Sequence, residues 1–116
     1  MHDFQLLGII VEVVARSAQL KATKTLYSSN RAPALVKLRD TALFLIRAKT
    51  ELSLAEIGRP FGRDHSSVHT AIQRETERLK RNIPRSDKST WTEYHARLST
   101  EIDKMIADAV VAALPN

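Results

Sequence analysis

The chain has no cysteine. That absence excludes a disulfide scaffold, a thiol nucleophile and any zinc site built on thiolate, and it suits a reducing cytoplasm. Glycine is scarce: Gly8, Gly58 and Gly62 are the only three, too scattered to build a phosphate-cradling loop, so no bound nucleotide is expected. The longest apolar run, Leu6 to Ala15, is broken by Glu12 and falls short of the roughly 20 residues a membrane span needs. The start, Met1-His2-Asp3, lacks the basic opening of a secretory signal, so a cytoplasmic protein without membrane contact is expected. Internal repeats, low-complexity tracts and strand-like alternation are also missing, which points to an all-α fold.

What is present is ordinary in amount and uneven in placement. The 116 residues, 43% hydrophobic and 27% charged, suit one compact core. The net charge is +5, yet residues 16–49 alone carry +7, with Asp40 the only acid among them. Such a basic stretch suits a polyphosphate backbone, because each neutralised phosphate releases condensed counterions; it equally describes a solvated helix face.

Apolar spacing divides the chain into helices. Phe4, Leu7, Ile10, Val11, Val14 and Ala15 share one face of a first helix. A short second helix is expected near 23–28, with Thr23 as its cap. Pro33 suits the first position of a third helix, whose apolar stripe is Leu35, Leu38, Ala42, Leu45 and Ile46; Lys37 and Arg39 then fall beside that stripe and are expected to point outward. Ser53-Leu54-Ala55-Glu56 has capping-box spacing and opens a short fourth helix. After the turn residue Gly62, Asp64 can cap a fifth helix in which Val68, Ala71, Ile72, Glu75 and Leu79 follow the helical period with one polar interruption. Two helices joined by a tight turn are helix-turn-helix geometry. Residues 83–87 read as a linker, and Trp91, Tyr94, Leu98, Ile102, Met105, Ala109 and Val110 mark a final amphipathic helix over about 90–113. The expected organisation is a helix-turn-helix domain over 1–82 followed by a linker and helix over 83–116. That last helix either packs back on the domain or forms the seam of a homodimer.

The stretch from Leu52 to Arg74, LSLAEIGRPFGRDHSSVHTAIQR, resembles the C-terminal DNA-binding domain of the bacterial chromosomal replication initiator DnaA. That family reads approximately S-L-P-E-I-G-x-x-F-G-G-R-D-H-[ST]-T-V-x-H-A. Ser53, Leu54, Glu56, Ile57, Gly58, Phe61, Gly62, Arg63, Asp64, His65, Ser66, Val68 and Ala71 match it, with Ser67 a conservative exchange. Upstream, Arg31, Lys37, Arg39 and Ala42 fall in register with the family's basic loop and R-x-R-Q-x-A-M helix, so the resemblance covers about residues 5–82. It implies duplex DNA as partner, with the second helix of the motif in the major groove and the basic loop at the minor groove. Ser53, Arg31, Lys37, Arg39, Arg63, Asp64, His65, Ser66, Ser67 and Thr70 become the candidate contacts. Three departures stand out. A single Gly62 replaces the paired glycine and shortens the turn by one residue. Thr70 occupies the place of a base-contacting histidine, with His69 at a usually apolar position. Pro60 replaces a common alanine and should tighten or end the fourth helix early.

The residue chemistry agrees with that implication. Amides and short polar side chains at a recognition-helix N-terminus meet phosphates and base edges. Arg63 can fork onto guanine or clamp a phosphate, Ser66 and Ser67 permit close approach, and His65 can donate to either. Asp64 either caps the helix or accepts from a cytosine amino group. His65 and His69 have a spacing that can hold zinc, but no third ligand is near, so no metal is expected. Asp64-His65-Ser66 contains triad residue types whose side chains diverge from one helix, so catalysis is not expected either. The sequence therefore reads as a non-enzymatic, cofactor-free DNA-binding regulator of transcription or replication. The rival reading is a protein-interaction adaptor that uses the same fold without reading DNA.

Overall fold

The structure, a computed structural model, describes residues 1–115. Among them the fold is all-α, with six helices and one 3-10 turn. Helix α1 (Asp3–Ser17) starts in a capping box, His2 Nδ1 accepting from the Phe4 amide and Gln5 Oε1 from the His2 amide. It lies against both α3 (Pro33–Lys49) and α6 (Trp91–Ala113). Two neighbours demand a broad apolar face, and Val13 is accordingly buried beside Leu7, Ile10, Val11, Val14 and Ala15. Phe4 departs from the periodic expectation: it is exposed and stacks on His2 at the helix start.

Helix α2 (Lys24–Tyr27) is one turn anchored by buried Leu26; Thr23 precedes it but makes no side-chain cap. Pro33 opens α3 as expected. This helix is central, packing against α1, α2, α4 (Leu54–Gly58) and α5 (His65–Arg81). Its buried face is wider than the sequence stripe. Leu43 is buried along with Ala42, Leu45 and Ile46, while Leu35 and Leu38 are only partly covered. Three polar residues, Arg39, Asp40 and Thr41, are also inside.

Ser53 caps α4, its Oγ accepting from the Glu56 amide at 3.1 Å and Glu56 Oε1 accepting from the Ser53 amide at 3.0 Å. Donation from the Ser53 amide, and secondarily from the Ser53 side chain, holds the Glu56 carboxyl below its usual range. Pro60 sits in the 3-10 turn Arg59–Phe61, so regular helix stops at Gly58, as the proline implied. Gly62 then takes the left-handed conformation, φ +63°. The chain doubles back so tightly that the Arg63 amide donates to the Gly58 carbonyl at 3.0 Å.

Asn82, also left-handed, ends α5 and accepts on Oδ1 from the amide and hydroxyl of Thr92, tying the end of α5 to the start of α6. Trp91, Tyr94, Leu98 and Ile102 of α6 join the same core as α1, and the Tyr94 and Ser17 hydroxyls lie 2.8 Å apart. The last helix thus packs back on the rest of the molecule, although Val110 and Val111 near its end are exposed. No helix among the described residues is long and apolar enough to cross a membrane.

A methyl group on Gly58 would stand 2.3 Å from the Arg63 carbonyl oxygen and 2.9 Å from Val68 Cγ2. The carbonyl is backbone and cannot swing away. Gly58→Ala should therefore destabilise the protein by about 1–3 kcal/mol, read as a lowered midpoint in thermal unfolding; an unchanged midpoint would show that the turn is looser than described.

Candidate nucleic-acid interface

The N-terminus of α5, the loop before α3 and one flank of α3 enclose an open cleft of about 540 Å³. On its walls the structure assembles Arg31, Arg39, Arg63, Asp64, Ser66, Ser67 and Thr70 from the sequence candidates, and adds Asp40 and Arg74. Ser53, Lys37 and His65 do not line it. Ser53 is engaged as the α4 cap. Lys37 is exposed on a neighbouring groove with Arg78, Arg85 and Trp91. His65 is exposed at the first position of α5, its Nε2 3.5 Å from Ser66 Oγ.

Asp64 resolves its two readings structurally in favour of the cap: its Oδ1 accepts from the Ser67 amide at 2.8 Å. That bond, foremost, holds the carboxyl below its usual range. Capping leaves the hydroxyls of Ser66 and Ser67 exposed on the first turn. Thr70 is exposed too, but its hydroxyl donates to the Ser66 carbonyl at 3.0 Å, so towards a ligand it offers lone pairs and a methyl.

Arg39 corrects the expectation that it points outward. It is 3% exposed, with Nε donating to the Leu26 carbonyl at 2.8 Å and Nη2 to the Asn30 carbonyl at 3.1 Å. Leu26 in the single turn of α2 and Asn30 in the α2–α3 loop carry carbonyls that helical bonding leaves open, and a long cation from α3 satisfies them. Asn30 Oδ1 further accepts from the Ala32 amide. Arg31, exposed between these two anchored residues, is thus presented from a fixed loop. Burial, and secondarily the neighbouring Arg63, pull the Arg39 guanidinium below its ordinary pKa.

The cleft is cationic because four arginines, Arg31, Arg39, Arg63 and Arg74, face two acids, and both acids are already engaged. Asp40, almost wholly buried, receives a bidentate pair from Arg74, both bonds 2.9 Å, and a third bond from Arg78 at 2.8 Å. Asp64 is turned into the helix start. Arg63 has no such partner: its Nε is the only buried side-chain nitrogen or oxygen without a hydrogen bond among the described residues. Arg74, half-exposed, is the residue sequence reasoning missed. Its position one turn beyond Thr70 on the same helix was the available signal. His69 and Gln73 are also exposed along α5. No group of three metal-ligating side chains occurs among the described residues.

A short helix, a tight glycine turn and a second helix whose exposed N-terminus meets a basic loop define a helix-turn-helix protein. The family described as bacterial dnaA protein helix-turn-helix matches residues 8–74, more than half of the chain, and the chain belongs to that family. Among curated relatives, the chromosomal replication initiator protein DnaA of Deinococcus radiodurans is 51% identical over 51 residues, which is 44% of this chain and 11% of that protein. The protein of the same name from Corynebacterium jeikeium is 40% identical over 74 residues, 63% of this chain and 12% of the relative. That of Mycoplasma genitalium is 32% identical over 82 residues, 71% of this chain and 18% of the relative. The chain thus spans less than a fifth of the length of each of these initiators.

Because Arg39 pins the loop that carries Arg31, Arg39→Met, which keeps the length but removes the donors, should loosen residues 28–32. Trypsin should then cut after Arg31 faster than in the unmodified protein, with a loss of stability of about 1–3 kcal/mol. Equal cleavage rates would mean that the loop holds without it.

Proposed function

We propose that this chain binds duplex DNA with sequence preference, as a non-enzymatic regulator of transcription or replication. The N-terminus of α5 enters the major groove, with Ser66, Ser67, Thr70 and His65 nearest the base edges and Arg63 on a guanine or a phosphate. Arg31, held by its anchored loop, reaches the backbone or the adjacent minor groove. The observation that carries this reading is the cleft itself, where Arg31, Arg63 and Arg74 converge beside short hydroxyls and both acids on the wall are engaged. Family membership supports the same conclusion. A single chain supplies the whole cleft, so the reading requires no second copy.

The single-residue turn and the His69-Thr70 order bear on which sequence is preferred. With its hydroxyl proton given to the helix backbone, Thr70 is a weak donor to bases. The preferred site should therefore differ at one or more positions from that of initiators with a histidine there. Selection from a random duplex pool, read by sequencing, identifies it. A steep dependence of log affinity on log salt together with sequence discrimination supports the proposal, whereas no binding at low salt favours an adaptor that docks an acidic protein.

Two substitutions locate the surface. Arg63→Ala should cost about 1–3 kcal/mol in binding to the selected duplex and relax its discrimination if Arg63 reads a base. Unchanged affinity and preference would remove α5 from the interface. Lys37→Ala, outside the cleft, tests how far the contact extends. A uniform loss over all sequences, with the salt slope reduced by about one, would carry the footprint round the tip of α3; no change would confine it to the cleft.

A further inference from the structure

We infer that the C-terminal helix α6 is a brace for the DNA-facing surface, and that His95 is a positioning residue acting on Arg74 through Glu75, Arg78 and Asp40. The inference rests on the reading of the cleft as a DNA surface. It starts from Glu75, an acid in the middle of α5 with no exposure at all. A carboxylate there is tolerable only if its oxygens are fully engaged. Oε2 accepts from Thr41 Oγ1 of α3 at 2.5 Å and from His95 Nε2 of α6 at 2.7 Å, and Oε1 accepts from Arg78 at 3.0 Å.

The network does not end there. The Arg78 nitrogen that donates to Glu75, Nη1, also donates to Asp40, and Asp40 is the carboxylate that fixes the guanidinium of Arg74 in the cleft. One continuous path of hydrogen bonds therefore runs from His95, near the start of α6, to a cation on the proposed DNA surface. Its α6 end is held laterally: the His95 ring stands edge-on to Phe44 and to Tyr94, and Arg78 lies over the Trp91 ring with 5.7 Å to its centroid. Arg74 is the last residue of the stretch the family matches, so Glu75, Arg78 and His95 all lie beyond it.

Two opposing outcomes separate a brace from mere packing. In the full chain, His95→Ala removes one donor from Glu75 and leaves Thr41 and Arg78. It should weaken binding to the selected duplex by about three- to ten-fold. In a double-mutant cycle with Arg74→Ala the two losses should be less than additive, since both act through Arg74. His95→Gln, whose amide nitrogen can stand where Nε2 stands, should recover most of the affinity. Ile102→Val, which lowers stability from the same helix without touching the network, should leave the affinity of the folded protein unchanged. Full additivity, or unaltered affinity in a folded His95→Ala protein, overturns the inference. Should the unmodified chain bind no duplex, the DNA reading itself fails, and the brace is judged by the Nε–H signal of Arg74 in nuclear magnetic resonance. Faster exchange in His95→Ala upholds the path, and an identical rate refutes it.

Discussion

Two carboxylates buried where α3 meets α5 govern the arrangement of this molecule. Asp40 and Glu75 are 1% and 0% exposed, and a charge withdrawn from water to that degree must be matched by donors of fixed geometry. Arg74 and Arg78 supply them from α5, Thr41 from α3 and His95 from α6. Apolar contacts alone permit helices to slide and rotate with little penalty, whereas bidentate and shared charged bonds fix both register and rotation. Stranding a member of such a set typically costs about 3–5 kcal/mol. The pitch of α5 about its own axis, which decides the side chains facing outward, is thereby tied to polar bonds in the interior.

The elements themselves were legible in the sequence because their boundaries are local chemistry. Pro33 at a helix start, the Ser53–Glu56 box, Asp64 before α5 and the early stop at Pro60 depend on residues within a turn of one another. The interior was less legible, and for one reason. Periodicity treats charge as a mark of the outer face, so it places Arg39 outward, and it puts Glu75 on the inward face of α5 only as an interruption without a partner. Both are inside because their partners come from elements distant in the chain: the carbonyls of Leu26 and Asn30 for one, Thr41 and His95 for the other. Phe4 erred in the opposite direction, since the helical period continues to the last residue of a helix whether or not a neighbour reaches that far.

The same distinction applies to the basic stretch. Residues 16–49 hold the charge excess, yet the fold disperses it: Arg39 goes inside, Arg47 donates to the Leu52 carbonyl, and Lys37 stands on another groove. The cationic character of the cleft is assembled instead from one arginine before α3, one in the turn and one in α5. Linear charge density is compatible with a polyanionic partner and indicates no surface. What matters for a polyanion is the charge each arginine keeps after its ion pairs: Arg63 makes none, and Arg74 shares its one carboxylate, Asp40, with Arg78, which is a property of the folded arrangement.

The turn connects these parts. Phe61, in the 3-10 segment, is buried and packs its ring against Tyr27 of α2 with centroids 4.8 Å apart. Just beyond Tyr27 lies the loop that Arg39 anchors and from which Arg31 projects. On the other side of Phe61, Gly62 and the Gly58–Arg63 bond set where α5 begins. The distance between the two arms of the cleft is therefore set along two routes, one through the Phe61–Tyr27 contact and one through α3, whose Arg39 holds the loop and whose Asp40 holds α5. A turn one residue shorter than the family's pattern falls on the glycine side of the first route. On the loop side Arg31, Lys37, Arg39 and Ala42 stay in register with the family's pattern, so the shorter turn bears on the spacing and angle between the arms and not on the presence of either.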